Sequence, residues 1–221
     1  MTVSMDIYDV MRTTGAVREF TGEPLPDETL TRILDNARFA PSGGNRQGTR
    51  VVVIRDQATK ETLADLCATG FRRYIAQQRN GENPWNPLHP MGVSAEDLAA
   101  VRVRRPAHLI EADVVLVVCV DLGVVAAFDQ GLDRIGVVAG ASVYPLVWNI
   151  LLAARNEGFG GVLTTMAVPE EPAVQELLGI PGEFAVAAVV PLGKPVKQVR
   201  KLRRRAVSEF VTRERFDGPA F

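Results

Sequence analysis

The stretch Ile135–Ala154, IGVVAGASVYPLVWNILLAA, contains no charged residue and is long enough to cross a bilayer as a helix. Ser142, Pro145 and Asn149 interrupt it, and no second segment of its kind occurs. A helix apolar on all sides is equally what the centre of a globular core or a subunit interface requires. The chain is therefore expected to bury this segment rather than thread it through a membrane. With 221 residues, 47 % hydrophobic and 23 % charged, it can fill a substantial core in one domain. That composition excludes a disordered chain or a coiled coil.

The formal net charge of −1 provides no global attraction to nucleic acid or anionic membrane, so basic regions are judged locally. Cys67 and Cys119 are the only cysteines. Neither a zinc-type spacing nor a disulfide framework is present, and no metal site is expected. The opening MTVSMDIYDVMRTTG lacks the apolar core of a signal peptide. A reducing, cytoplasmic setting is the expectation.

Helix and strand signals alternate along the chain. Met5 to Arg12 and Asp27 to Ala40 read as helices, the second with Leu30, Ile33, Leu34 and Ala37 on one face and Asp27 as its N-cap. Val51 to Ile54, Val114 to Val120, Gly158 to Thr165 and Phe184 to Leu192 read as strands, and Lys60 to Cys67 and Glu170 to Leu178 as helices. The polar, arginine-rich stretch at about 71–106 carries Pro84, Trp85, Pro87, His89 and Pro90. It has too little apolar content for its own core and is read as a surface excursion of a single domain, 1–221. Pattern alone leads to an α+β or α/β sandwich.

Three stretches outside these elements carry chemistry. One is Arg12-Thr-Thr-Gly-Ala-Val-Arg18-Glu-Phe20; the next is Ala40-Pro-Ser-Gly-Gly-Asn-Arg-Gln47; the last is the run containing Lys194, Lys197, Arg200, Lys201, Arg203, Arg204 and Arg205. Arginine supplies fixed donors and charge to a phosphate. Asn45 and Gln47 can both give and take hydrogen bonds, as the pyrimidine edge of a flavin demands. Each stretch also has a plain structural reading: a helix-end arginine complements the dipole, PSGGN is a good turn, and a basic run is a solvated face.

In order, these pieces resemble the FMN-dependent nitroreductase family over nearly the whole chain. The resemblance rests on Arg18-Glu-Phe20, on Ala40 to Gln47 and on Gly160-Gly-Val-Leu-Thr-Thr165. It continues through Glu176-Leu-Leu-Gly-Ile-Pro181, Leu192-Gly-Lys-Pro195 and Arg203 to Arg205. It implies an α+β three-layer sandwich: a central mixed, mainly antiparallel sheet flanked by helices, with the site at a homodimer interface that the helix Gly136 to Ala154 would help to form. By the same resemblance Arg18 reaches the flavin and stabilises its reduced charge. Pro41, Ser42, Gly43 and Asn45, with Gln47, approach the flavin from the partner subunit. Val162, Leu163, Thr164 and Thr165 pack beside it, and Arg203, Arg204 or Arg205 closes on its phosphate. The basic pair and serine usual in the family before the arginine are Thr14, Gly15 and Ala16 here, with Arg12 the candidate substitute; Gly48 and Thr49 replace a proline and an aromatic.

The function so implied is transfer of hydride from NADH or NADPH through FMN to a small acceptor such as a nitroaromatic or quinone, without a side-chain catalytic residue and without nucleic-acid or membrane partners. His108 reads as structural, while Tyr74, Trp85 and His89 are candidates for the acceptor pocket. The alternatives are a specialised relative (reductive dehalogenase, flavin-consuming synthase or dehydrogenase) and a non-catalytic flavin-binding protein.

Overall fold

Strand β2 (Val114–Asp121) is the centre of the molecule, because every side chain from Val114 to Val120 is buried. Alternation along a strand sends those side chains to two opposite faces, so both faces must be covered by helices. A computed structural model describing residues 5–221 shows how this is done; Met1 to Ser4 of the N-terminal stretch lie outside the described residues. Val114, Leu116, Val118 and Val120 pack with Ile33 and Ala37 of α2 (Asp27–Ala37) and with Val147, Ile150 and Ala154 of α6 (Tyr144–Asn156). Val115, Val117 and Cys119 pack on the other side against Leu63 and Cys67 of α3 (Gln57–Arg79), Leu109 of α5 (Ala107–Ile110) and Val174 of α7 (Glu171–Leu178). The result is a three-layer α+β sandwich, completed by α1 (Ile7–Thr13) and α4 (Ala95–Ala100).

Among the described residues the sheet has four strands in the order β1-β2-β4-β3, with β1 Thr49–Ile54, β3 Gly160–Gly161 and β4 Phe184–Gly193. All three pairings are antiparallel, so the parallel element of the expected mixed sheet is not found. Val118 pairs with Ala188 and Cys119 with Val186, leaving Ala187 as the extra residue of a bulge. Beyond β3 the Arg12–Phe20 segment is stitched to the same edge. Val17 donates its N–H to the Gly161 carbonyl, and Phe20 bridges Pro195.

Several boundaries differ from the sequence reading. Helix α2 ends at Ala37, and its N-cap is Pro26, with Asp27 in the first turn. The apolar run is helical only from Tyr144, because Pro145 can occupy the first turn of a helix but not its interior. Residues 135–143 are a loop and a short 3-10 turn. No described helix is long and apolar enough to cross a membrane. Helix α3 runs on through Phe71 to Arg79, so the excursion begins inside a helix. Residues Ala76, Val93 and Val101 give the excursion a small apolar cluster of its own.

Candidate flavin site

The final residues of β3 and the turn after it, Gly161, Val162, Leu163 and Thr165, form one wall of an open groove. Helix α6 lines it through the exposed Tyr144 and Trp148 and the buried Leu151. Thr14, Gly15 and Ala16 and Arg204 of the tail also line it. The cavity volume is about 470 Å³, within the range of small-molecule and cofactor sites. Its walls are apolar and its one charged lining group is a guanidinium. That is the chemistry wanted by a flat ring with a phosphate tail.

A second cavity of about 500 Å³ adjoins the first and shares Tyr144 and Thr165 with it. Tyr74, Pro84 and Trp85 of the excursion, Met166, and Val186 and Ala187 at the β4 bulge line it. The Tyr144 hydroxyl donates to the Ala187 carbonyl at 3.4 Å. Trp85 is held beneath the Arg73 guanidinium, 3.8 Å from its ring centroid, a cation–π contact. Its backbone N–H donates to the buried Gln77 side chain at 3.1 Å. Gln77 in turn donates to Glu82 at 2.9 Å. Bonds from Gln77 and Asn80 hold the Glu82 carboxyl below its ordinary pKa. The excursion is thus pinned as a roof, with Tyr74 and Trp85 underneath and His89 exposed outside.

Of the residues singled out in the sequence, Val162, Leu163, Thr165 and Arg204 meet at the groove. The backbone of Thr164 instead exchanges hydrogen bonds with Val189, while Arg203 and Arg205 are exposed to either side of Arg204. The Arg12 guanidinium lies 5.8 Å from the Tyr8 ring centroid on the exposed side of α1. Arg18 is exposed on the stitched segment and does not line the groove. Burial first, and the Arg18 charge second, push the pKa of His108 down, which favours its neutral form in a buried position.

The loop Pro41–Gln47 stands apart from the groove of its own chain. Pro41, Ser42 and Gln47 line a different cavity of about 290 Å³ with Ser142 and Leu146. Ser142 accepts from the Gly43 N–H and Ser42 from the Gln47 N–H, both at 3.0 Å. Gly44, Asn45 and Gln47 have φ of 61°, 53° and 49°. Two non-glycine residues in the left-handed region within three positions store strain of the kind found at binding sites. Gly48 follows them because a Cβ there would lie 2.4 Å from a Val124 methyl. Tyr144 and Trp148 of α6 went unassigned in the sequence, where the helix read as core or subunit interface; their four-residue spacing was the available signal.

The sequence model of the Nitroreductase family matches residues 11–194, and the chain belongs to that family. It is 26 % identical to an iodotyrosine deiodinase of Thermotoga neapolitana over 91 % of this chain and 95 % of the relative. It is 27 % identical to an NADH dehydrogenase of Thermus thermophilus over 83 % of each chain. An iodotyrosine deiodinase solved with FMN and 3-iodo-L-tyrosine superposes with a TM-score of 0.68 at 25 % identity, covering 95 % of this chain and 99 % of the other.

Proposed function

We propose that this chain is an FMN-dependent oxidoreductase that uses NADH or NADPH to reduce a small, flat, uncharged acceptor such as a nitroaromatic or quinone. The observation that carries the reading is the pair of joined cavities. A groove with apolar lining and one guanidinium shares Tyr144 and Thr165 with a second cavity lined by Tyr74 and Trp85. FMN, when bound, supplies the hydride chemistry. The protein's residues orient and enclose. Val162, Leu163 and Trp148 would hold the ring and Arg204 the phosphate, and Tyr144 and Thr165 line both cavities. Arg18 is assigned to the negative charge of the reduced ring, a role its exposed side chain would fill on reorienting toward the groove.

The site is proposed to be completed by a second copy of the chain. Loop Pro41–Gln47 lines its own cavity rather than its own groove, so its amide groups reach a flavin only from another subunit. Phe128, Leu132, Ile135 and Val137, at 89, 56, 62 and 65 % exposure, continue the open face of α6 into an apolar surface of the kind a subunit covers. The buried Asp129 carboxylate fixes that loop by accepting from the Val137 N–H at 2.7 Å and from Arg134 at 2.8 Å.

A specialised reading stands beside this one because deiodinases are among the relatives. An amino-acid substrate presents an ammonium and a carboxylate, and the side chains lining the second cavity include no ionisable group other than tyrosine; burying two charges there would leave them unpaired. That favours the uncharged acceptor. The test is the visible spectrum of the purified protein under anaerobic conditions. A flavin spectrum that bleaches with NAD(P)H and returns with a quinone or nitroaromatic supports the proposal. Return with iodotyrosine alone would move the assignment to the specialised class. A protein that cannot be loaded with FMN would overturn it, and salt-dependent DNA binding would then point to the basic tail as an interaction surface.

A further inference from the structure

The arginine motif lacks the basic pair that the rest of it leads one to expect, and the surroundings of Thr13 to Gly15 show what occupies that place. A Cβ on Gly15 would lie 2.9 Å from a Val199 methyl and 3.3 Å from a Leu202 methyl, so the tail crosses where a longer side chain at position 15 would have to lie. The hydroxyl of Thr14 is spent on the Val10 carbonyl at 2.7 Å. Beside both stands Arg155, whose Nε donates to the Thr13 hydroxyl at 3.1 Å. With its amide oriented to suit, the Gln198 oxygen accepts from Arg155 Nε at 2.8 Å and from Nη1 at 3.2 Å.

Arg155 has no carboxylate partner among the described residues, and both of its partners are neutral. Glu157, the acidic residue two positions on, is taken by Arg32 at 2.8 Å. Burial lowers the affinity of Arg155 for its proton, as expected of a cation withdrawn from water without an anion. Arg155 does not itself line the groove, but three separate segments carry it beside residues that do. On α6 it follows Trp148 and Leu151 on the same stripe. Thr13 precedes the groove residue Thr14, and Gln198 precedes the Val199 that covers Gly15. A helix-end arginine that merely answers the dipole would bond the last carbonyls of its own helix; this one is turned onto α1 and the tail.

We propose that Arg155, acting with Arg204, grips the phosphate of the cofactor and takes the place of the basic pair absent at Thr14 and Gly15. The inference rests on the flavin reading of the groove. Thr13 and Gln198 hold the guanidinium next to Thr14 and leave its remaining N–H groups for an anion, and a planar fork suits phosphate oxygens.

The test compares binding of FMN with binding of riboflavin, which has the same ring and no phosphate, by quenching of flavin fluorescence in the full chain. The wild type is expected to bind FMN more tightly than riboflavin. R155M should weaken FMN by about 10- to 100-fold, the loss for hydrogen bonds to a charged group. It should leave riboflavin within about twofold, and R155K should recover part of the FMN affinity by returning the charge without the fork. Equal weakening of both flavins by R155M would mark a merely structural arginine and overturn the inference. An unchanged FMN affinity would overturn it as well. Should R155M not fold, the FMN-to-riboflavin ratio of R155K decides, an unchanged ratio counting against the proposal. A wild type that binds riboflavin as tightly as FMN removes the phosphate site while leaving the flavin groove. A wild type that binds neither removes the flavin reading itself.

Discussion

Gln47 carries a cost that its neighbours explain. Its φ of 49° places a long side chain in backbone glycine would adopt freely, and its amide donates to the Asn45 side chain at 3.2 Å. Gln47→Gly should therefore raise thermal stability by about 1 kcal/mol while weakening FMN binding, if the side chain reads a flavin across a subunit boundary. Melting curves and an FMN titration on the same variant check both halves. His108 gives a second prediction. Its folded pKa lies below the ordinary value of 6.5, so the neutral form is favoured in the native state and the unfolded chain binds the proton first. The stability it contributes is present above pH 6.5 and is lost as pH falls through its lowered folded value. Denaturant midpoints measured from pH 8 to pH 5 should fall less steeply for His108→Asn than for the wild type. Neither consequence is written in the residue types alone: PSGGNRQ declares a turn, but which positions are left-handed depends on Ser142, far along the chain.

At the scale of elements, the excursion is a roof whose rigidity depends on Gln77. Its carboxamide serves the Trp85 N–H, Arg73 and Glu82 together, and it is buried to 2 % exposure. Gln77→Leu keeps the helix and much of the volume but strands the Trp85 N–H, a loss of about 1–3 kcal/mol confined to this region. Limited proteolysis between Asn80 and Val93 should accelerate, and KM for the acceptor should rise with FMN affinity unchanged. The elements differ in how openly the sequence announces them. Strand β2 is legible because a run of apolar, mainly β-branched residues bounded by Asp113 and Asp121 fits a strand buried on both faces. The continuation of α3 past Cys67 is not, because Arg72, Arg73, Gln77, Gln78 and Arg79 dilute the apolar period that reveals a helix. The start of α6 was hidden for the opposite reason: residues 135–143 are as apolar as a core yet are a loop and turn with Ile135 and Val137 exposed, and composition does not say whose surface will cover them.

For the whole molecule, the open face of α6 and loop 128–137 is the feature to test. Trp148 is 44 % exposed and Tyr144 43 % on a helix whose other side fills the core. Trp148→Glu places a charge on that face, where a subunit interface would have to desolvate it. The wild type is expected to sediment as a dimer and the variant as a monomer with reduced FMN retention and an unchanged far-ultraviolet circular dichroism spectrum. A wild type that sediments as a monomer while holding FMN fully would remove the composite site. Three-layer architecture follows from the sequence because β2 and β4 need cover on both faces. The contact of Arg155 with Thr13 does not, since the two lie 142 residues apart and no local pattern links them.

The contact of Gly15 with Val199 and Leu202 has a consequence in time. Thr13 to Ala16 are made early, Arg155 much later, and Gln198 to Arg204 later still. The sheet has all its strands once Gly193 has emerged from the ribosome, so the sandwich can close around β2 while the groove still lacks the strand of chain that covers its basic end. A flavin bound in this groove would then be enclosed last, by a tail that arrives after the sheet is complete.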